Sequence, residues 1–281
     1  MKIAMFGHKR IPSREGGVEI VVEELASRMV KTGNEVTCFN RNGKGCVSQK
    51  YGKRYNFNGI EVKTVPTIDK KGMAAVTAAF FSSVMAAFGK YDIVHIHAEG
   101  PAFFSWIPKL FHKKIVVTVH GLDWQREKWK GGFGAKFIRK GEENAVKYAD
   151  EIIVLSKNVE QYFKTRYNRI TRFIPNGVNR PTIRKADRIR SVYGLEKNGY
   201  ILFLGRLVPE KGIMYLIEAF SKVNTDLKLV IAGGSSDTDE YEKELRMKAE
   251  KDSRILFTGF VEGDLLEELY SNAYVYTLPS D

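Results

Sequence analysis

The fold is decided by a stretch near the middle of the chain, KIVVTVH at residues 114–120. Its residues 115–117 are continuously apolar and β-branched, which is the composition of a strand buried on both faces of a sheet. Ile93 and Val94 form a shorter pair of the same kind. Strands that are covered on both faces belong to parallel sheets with helices on each side, so the stretch predicts an α/β fold.

Short β-branched runs alternate with longer amphipathic segments on both sides of this stretch, as in strand–helix–strand units. The strands predicted in the first part of the chain are Lys2–Phe6, Glu35–Asn40, Ile60–Pro66, Asp92–His97, Lys114–His120, Glu151–Leu155 and Arg172–Ile174. The helices predicted there are Glu19–Lys31, Met73–Phe88, Phe133–Ala149 and Asn158–Tyr167.

The same pattern begins again after a polar stretch that contains a short predicted helix, Asp187–Tyr193. We predict two Rossmann-like parallel-sheet domains, over 1–178 and 199–281, joined by a hinge over 179–198. The strands predicted in the second domain are Tyr200–Gly205, Lys228–Ala232, Ile255–Thr258 and Tyr274–Leu278. Its predicted helices are Gly212–Val223, Asp239–Lys251 and Asp264–Ser271.

Composition and charge limit the class of protein. Of the 281 residues, 43% are hydrophobic, which is enough for two cores, and the net charge is +12. Residues 1–178 carry 30 lysines and arginines against 16 acidic residues, a net of +14, whereas the rest carries 15 against 17, a net of −2. A basic first domain indicates an anionic partner such as a phosphate group or a lipid surface. No nucleic-acid recognition module is visible, so nucleic acid is not expected.

Three features bear on the location of the protein. The two cysteines, Cys38 and Cys46, provide no disulfide framework, which predicts a reducing cytoplasm. The longest apolar run, Met73–Phe88, is shorter than the roughly 20 residues of a membrane span, which favours a buried or interfacial helix. Aromatic and basic residues mix over 101–114 and 133–147. That composition suits peripheral attachment to an anionic membrane, at the inner face of the plasma membrane, and equally suits helices packed on a sheet.

Two turns at the predicted carboxyl ends of strands are candidate ligand sites. Gly16 and Gly17 precede a helix whose N–H groups attract phosphate, although an ordinary turn explains the pair equally well. The Gly-x-Gly-x-x-Gly pattern of dinucleotide-binding dehydrogenases is absent. Arg206 follows a strand of the second domain and Lys211 lies at the entry to the next helix. These two cations either form a diphosphate clamp or are exposed loop side chains.

Six motifs occur in one order along the chain, and together they resemble the family 4 retaining glycosyltransferases of the GT-B fold. The motifs are Gly16–Glu19, Val119–Gly121, Pro175–Val178, Gly205–Gly212, Ala232–Gly234 and Thr258–Val261. The runs Ile11–Gly17 and His120–Trp129 further resemble a bacterial subgroup that includes rhamnosyltransferase-like enzymes of surface polysaccharide synthesis. The resemblance implies two domains that face a cleft and a nucleotide-sugar donor.

The resemblance also implies roles for the residues that match these motifs. Arg206 and Lys211 are expected to hold the donor diphosphate and His120 to lie near the donor sugar, with no metal ion or other cofactor. The further substrate-binding residues that we expect are Gly16, Gly17, Asp123, Asn176, Gly205, Gly259, Phe260 and Val261.

Several polar residues have a second interpretation. Asp123 either binds an acceptor hydroxyl or caps the next segment, and His120 is alternatively a core histidine at the end of a buried strand. His95 and His97 alternate along one strand and are interpreted as structural. The Asp-Thr-Asp run at 237–239 resembles a metal–nucleotide motif of a different glycosyltransferase fold. It precedes an acidic helix, so we interpret it as a helix cap.

The function predicted from the resemblance is transfer of a sugar to a saccharide or lipid-linked acceptor in cell-surface polysaccharide synthesis, with retention at the anomeric carbon. In the family, a glutamate-containing segment follows the strand that here ends at Asp281. We therefore expect the second domain to be incomplete and donor binding to be impaired. The alternative is a truncated, non-catalytic module that binds a nucleotide-sugar or phosphate. A GT-B-type epimerase would need catalytic carboxylates that the sequence does not assign.

Overall fold

The computed structural model describes residues 1–14, 16–43, 52–70, 72–125, 132–235 and 239–280. The chain divides into two compact units, Met1–Gly177 and Val178–Asp281. Each unit is built on a sheet with helices, so the predicted α/β class is confirmed.

The first unit contains a sheet of eight strands in the order β3-β4-β2-β1-β5-β6-β7-β8. All neighbouring pairs are parallel except β3 and β4, which are antiparallel. The strands are β1 (Lys2–Phe6), β2 (Glu35–Arg41), β3 (Arg54–Phe57), β4 (Ile60–Val65), β5 (Ile93–His97), β6 (Lys114–Val119), β7 (Glu151–Val154) and β8 (Arg172–Phe173).

Helices cover both faces of this sheet, as the buried strands predict. Side chains of β1 alternate between two cores: Ala4 and Phe6 pack in one, while Ile3 and Met5 pack in the other. The helices are α1 (Gly17–Lys31), α2 (Met73–Phe88), α3 (Glu99–Ala102), α4 (Trp106–Leu110), α5 (Phe133–Tyr148) and α6 (Lys157–Tyr167).

The second unit contains a parallel sheet of four strands in the order β11-β10-β9-β12. Its strands are β9 (Tyr200–Leu204), β10 (Lys228–Ala232), β11 (Ile255–Gly259) and β12 (Val275–Tyr276). Its helices are α7 (Arg188–Tyr193), α8 (Ile213–Phe220), α9 (Asp239–Ala249) and α10 (Gly263–Asn272). Within the segment predicted as a hinge, Ala186, Ile189 and Leu195 are buried in the core of this unit.

Strand β3 and helices α3 and α4 were not predicted from the sequence, and strand β12 is shorter than predicted. Strand β3 was not predicted, although the Asn58-Gly59 turn that joins it to β4 has positive φ at both residues, as two-residue hairpins require. The short helices α3 and α4 were not predicted because neither spans two helical turns of regular periodicity. Strand β12 is limited to Val275–Tyr276, since only these residues pair with β9.

Two features that bear on the predicted cellular location, the cysteines and helix α2, belong to the first part of the chain. Cys38 is a free, buried thiol in β2, and Cys46 lies outside the described residues. Helix α2 packs its small residues, including Ala78, Ser82 and Ala86, into the unit. Within the described ranges, no helix combines the length and apolar character that crossing a membrane requires.

Candidate functional site

The loop after β1 is shaped by contacts with β2 and β5. A Cβ on Gly7, where φ is +115°, would lie 2.0 Å from the carbonyl oxygen of His97, so only glycine fits this approach. The buried side chain of Asn40 holds the loop, because its Oδ1 accepts from Ile11 N–H at 3.0 Å and its Nδ2 donates to Ile11 O at 3.0 Å. The same Oδ1 lies 3.1 Å from Nε2 of His8, which is also buried.

Gly16 and Gly17 lie at the N-terminus of α1, as predicted. Glu19 turns back from the first turn of the helix, and its Oε1 accepts from the Lys9 N–H at 2.8 Å. A Cβ on Gly16 would lie 2.0 Å from Glu19 Oε2, whereas nothing lies within 4 Å of a Cβ on Gly17. Glu19 therefore joins the helix N-terminus to the loop after β1, and the backbone at Gly17 is open to a ligand.

His120 directly follows β6 and is joined to β5 through a row of histidine rings. Its Nε2 lies 3.1 Å from Nδ1 of His97, and the two ring centroids are 5.4 Å apart. The ring of His95 lies 4.2 Å from that of His97, and its Nε2 lies 2.8 Å from Thr118 Oγ1. Burial lowers the pKa of His95 to about 4 and holds the pKa of His97 well below its usual range. His95 and His97 are therefore neutral near pH 7.

Asp123 lies in a 3₁₀ turn, Asp123–Gln125, that is anchored by a buried carboxyl. The N–H of Asp123 donates to Glu99 Oε2 at 2.9 Å. Glu99 is fully buried, and its burial, with Glu142 and Asp123 nearby, raises its pKa far above the usual range of a glutamate. Glu99 therefore carries its proton near neutral pH.

Glu142, on α5, is the second buried carboxylate of this region. It accepts from Trp124 Nε1 at 3.0 Å and from the hydroxyls of Tyr162, at 2.8 Å, and Tyr167. The guanidinium of Arg139 lies 4.1 Å from the Trp124 ring centroid. Three donors on one carboxylate fix the segment that follows His120 and Asp123 against α5 and α6.

An open pocket lies at the carboxyl edge of β1 and β2, against α2. Its lining combines two aromatic rings, one cationic side chain, a backbone turn and small residues of the helix. The lining residues are Gly7, His8, Phe39, Arg41, Ala75, Ala78, Ala79, Ser82 and Pro101. Asn176 and Gly177, which the sequence placed in a turn, are exposed beyond β8 and belong to no helix or strand.

In the second unit, three glycines from the motifs, of which Gly205 and Gly259 were predicted to bind substrate, come together at the carboxyl edge of the sheet. Gly205 N–H donates to Ala232 O at 3.0 Å, and Gly233 N–H donates to Gly259 O at 2.8 Å. A Cβ on Gly233, where φ is +139°, would lie 1.9 Å from Gly205 O. The turns after β9, β10 and β11 are thus in backbone contact, with no side chains at the points of contact.

Arg206 and Lys211 flank a loop that is anchored by its apolar residues. Leu207 and Val208 are buried, whereas Arg206 is exposed and has no ion pair within the described part of the chain. Lys211 Nζ lies 3.5 Å from Ser280 Oγ. Both cations lie between the end of β9 and the start of α8, as the sequence predicted.

The predicted substrate-binding residues Phe260 and Val261 differ in exposure. Val261 is buried in the core of the second unit, next to Leu269, while Phe260 is 55% exposed. Gly259 ends β11 with a φ of +71°. The side chain of Phe260 is therefore accessible, whereas the side chain of Val261 belongs to the core.

Several motif residues cannot be placed. Glu15 and the part of the His120–Trp129 run at 126–129 lie outside the described residues. So do Asp237 and Thr238, and α9 begins at Asp239. Among the residues that are described, no three His, Cys, Asp or Glu side chains are grouped as a metal site would require.

Three polar residues of this region, Asn40, Glu99 and Glu142, were not predicted from the sequence. Asn40 is the last buried residue of β2, and a buried polar residue at such a position is a signal that it binds a backbone or a ligand. Glu99 and Glu142 carry no comparable signal, because their burial depends on the packing of α3 against α5, which are distant in sequence.

The fold matches that of solved glycosyltransferases. Sucrose-phosphate synthase from Thermosynechococcus elongatus has a TM-score of 0.81 at 21% identity, covering 99% of this chain and 75% of that one. The Anabaena protein HepE, in complex with UDP and glucose, has a TM-score of 0.74 at 19% identity, covering 100% and 74%. The chain thus has the GT-B fold class, as predicted.

Comparison of sequences is more specific. This chain belongs to Glycosyltransferase Family 4, whose model matches residues 15–180, and the Glycosyl transferases group 1 model matches residues 185–281. An uncharacterized glycosyltransferase of Methanocaldococcus jannaschii is 29% identical over 299 residues, covering 100% of this chain and 75% of the relative. The protein is a glycosyltransferase, which confirms that prediction.

Proposed function

We propose that this glycosyltransferase moves a sugar from a nucleoside-diphosphate-sugar to a saccharide or lipid-linked acceptor in the synthesis of cell-surface polysaccharide. The configuration at the anomeric carbon is retained. The complex of the Anabaena relative with UDP and glucose supports a nucleotide-sugar donor. The runs Ile11–Gly17 and His120–Trp129, which resemble rhamnosyltransferase-like enzymes, support the role in polysaccharide synthesis.

The observation that carries the proposal is the glycine edge of the second sheet with its two cations. Because nothing lies within 4 Å of a Cβ on Gly259, a diphosphate can approach the backbone of this turn closely. Arg206 extends into solvent beside these turns, and Lys211 lies just before α8. An anion at this edge would be held by a guanidinium, an ammonium and a helix N-terminus.

The chemistry needs negative charge to be stabilised on the departing diphosphate. The bond between the anomeric carbon and the β-phosphate oxygen breaks, and its electron pair leaves with the diphosphate. The acceptor oxygen forms the new bond, and its proton passes to the diphosphate. Arg206 and Lys211 stabilise the charge that develops, so the proposed step uses no metal ion. His120 orients the donor sugar, and Asp123 is the candidate partner of an acceptor hydroxyl.

We place the acceptor in the first unit, near the pocket beside His8 and Arg41. The net charge of +14 over residues 1–178 supports an anionic acceptor such as a phosphate-linked lipid or saccharide. Gly17, whose backbone is open, is a further candidate contact.

The first unit also carries an exposed apolar surface that we assign to an anionic membrane. Phe88, at the end of α2, is 73% exposed, and Leu110, at the end of α4, is 67% exposed. The ring centroids of Phe88 and Phe111 are 4.6 Å apart, so the ends of α2 and α4 form one continuous patch. Lys90 and Lys114, which are near these residues in the sequence, are exposed as well. Apolar side chains with lysines around them suit the headgroup region of anionic lipids.

The donor site is tested by a thermal-shift screen of UDP-, GDP-, TDP- and ADP-glucose. A ligand at 100 times its Kd stabilises the folded state by about 2.7 kcal/mol, so the correct donor should raise Tm measurably. Arg206→Ala should lose most of that shift, because a guanidinium that binds phosphate contributes several hydrogen bonds. Chelation of divalent metals should leave the wild-type shift unchanged.

The matched control is Lys222→Ala, which removes one positive charge beyond the other end of α8. It should keep the wild-type shift. An Arg206→Ala protein whose Tm rises as much as that of the wild type would contradict the diphosphate role of this edge.

A further inference from the structure

His97 is a buried histidine that no motif assigns to the reaction. It is fully buried, its Nδ1 lies 3.1 Å from His120 Nε2, and its ring packs 4.2 Å from that of His95. Its other nitrogen, Nε2, is buried without a hydrogen-bond partner among the residues that the structure describes. His8, which interacts electrostatically with His97, uses its own Nε2 on Asn40.

The unpartnered nitrogen decides where the proton of His97 lies. Only one of the two facing nitrogens, Nδ1 of His97 or Nε2 of His120, can carry a proton, because two N–H groups cannot donate to each other. If His120 donated, His97 would have to carry its proton on Nε2, where a buried N–H would have no acceptor. Orphaned buried N–H groups are rarer than acceptors left without a donor, so the proton of His97 belongs on Nδ1.

We infer that His97 is a positioning residue for His120: it donates from Nδ1 to His120 Nε2 and thereby holds the proton of His120 on Nδ1. The tautomer of a histidine is set by the hydrogen bond that its other nitrogen makes, and here that bond is buried. His120 then acts as a hydrogen-bond donor through Nδ1, suited to a sugar hydroxyl oxygen. The functional half of this inference rests on the proposed placement of His120 beside the donor sugar.

The two β-strands make this arrangement rigid. His97 is the last residue of β5 and pairs with Thr118 of β6, two residues before His120. The carbonyl of His97 is in contact with Gly7, so His97 cannot shift without moving the end of β1. A donor that is held in this way keeps its direction when no substrate is present.

The test is ¹⁵N NMR of the histidine side chains in full-length protein, comparing the wild type with His97→Asn and His97→Leu. These variants are nearly equal in shape, but only asparagine places a donor near the position of Nδ1. In the wild type and His97→Asn, His120 should show a protonated Nδ1 and an unprotonated Nε2. In His97→Leu, protonation should pass largely to Nε2.

The functional readout is the rate at which nucleoside diphosphate is released from the nucleotide-glucose that the thermal-shift screen selects. His97→Leu should lower kcat by about tenfold or more, the scale on which orienting partners of functional histidines act, while His97→Asn should restore most of it. Thr118→Val removes the partner of His95 and should leave the tautomer of His120 unchanged. A wild-type His120 protonated on Nε2, or an unchanged tautomer in His97→Leu, would overturn the inference. If His120→Ala keeps full activity while the tautomers are as expected, the proposed role of His120 fails separately.

Discussion

Glu99 is a carboxyl whose burial favours its protonated form. In the folded protein its pKa is raised, first by desolvation and then by Glu142, while in the unfolded chain it titrates near 4.5. The stability that it contributes is therefore fully present below about pH 4.5 and is lost as the pH rises toward its folded pKa. Glu99→Gln keeps the shape and stays neutral at every pH. The variant should be more stable than the wild type at pH 8, by roughly 1–3 kcal/mol, with a smaller gain at pH 5.

Urea unfolding of both proteins at pH 5 and pH 8 measures this difference. Glu244→Gln on α9 is the control, because it changes the same side chain at an exposed position of the second unit. The control should give a difference in unfolding free energy that is small and similar at the two pH values. A Glu99→Gln protein that is less stable than the wild type at pH 8 would show that Glu99 is ionised when folded.

Single residues were predictable where one local motif defines them. Arg206 and Lys211 lie where a strand ends and a helix begins, and that position is readable from the sequence. The bond between His97 and His120 was not readable, because it depends on the register of β5 against β6. The roles of Arg206, Lys211 and His120 in substrate binding remain predictions.

The glycine turns of the second unit form one element, made of three loops in backbone contact. Gly233→Ala would bring a Cβ to 1.9 Å from Gly205 O, at a φ of +139° that alanine rarely adopts. Overpacking of this kind costs about 1–3 kcal/mol, and the backbone must move to relieve it. We expect Gly233→Ala to lower Tm and to weaken binding of the donor.

Gly234→Ala is the matched control, since nothing lies within 4 Å of a Cβ at that position. It should change Tm little. Calorimetry of both variants, with and without the donor from the screen, separates the two effects. Equal losses in the two variants would mean that the close approach of Gly233 to Gly205 does not shape the site.

Helices and strands were predicted well where periodicity or β-branched runs were long enough to be distinctive. Strand β1, helix α2 and strand β10 have the predicted bounds. Among the described residues, strand β3 pairs only with β4 and lies at the edge of the sheet, so its sequence lacks the continuous apolar run of a central strand. Helices α3 and α4 are fixed by packing against α5 and α2 rather than by their own residues.

At the scale of the molecule, the charge is divided between the parts of the chain. Residues 1–178 carry a net charge of +14 and the remainder carries −2. A protein with this distribution should approach an anionic surface through its first unit, and the patch around Phe88 and Leu110 is the apolar contact that such a surface would meet.

The expected outcome is binding to phosphatidylglycerol vesicles and not to phosphatidylcholine vesicles, measured by co-sedimentation. Binding should weaken between 0.05 and 0.5 M salt, concentrations over which the Debye length falls from roughly 14 to 4 Å. Phe88→Ser should weaken binding at every salt concentration, because it removes apolar area that the membrane would bury and leaves the charge unchanged. Val192→Ser, at a 60% exposed position of the second unit, should bind as the wild type does. Equal binding to neutral and anionic vesicles, or no effect of Phe88→Ser, would remove the membrane from the proposed partners and leave the basic surface to a soluble anionic acceptor.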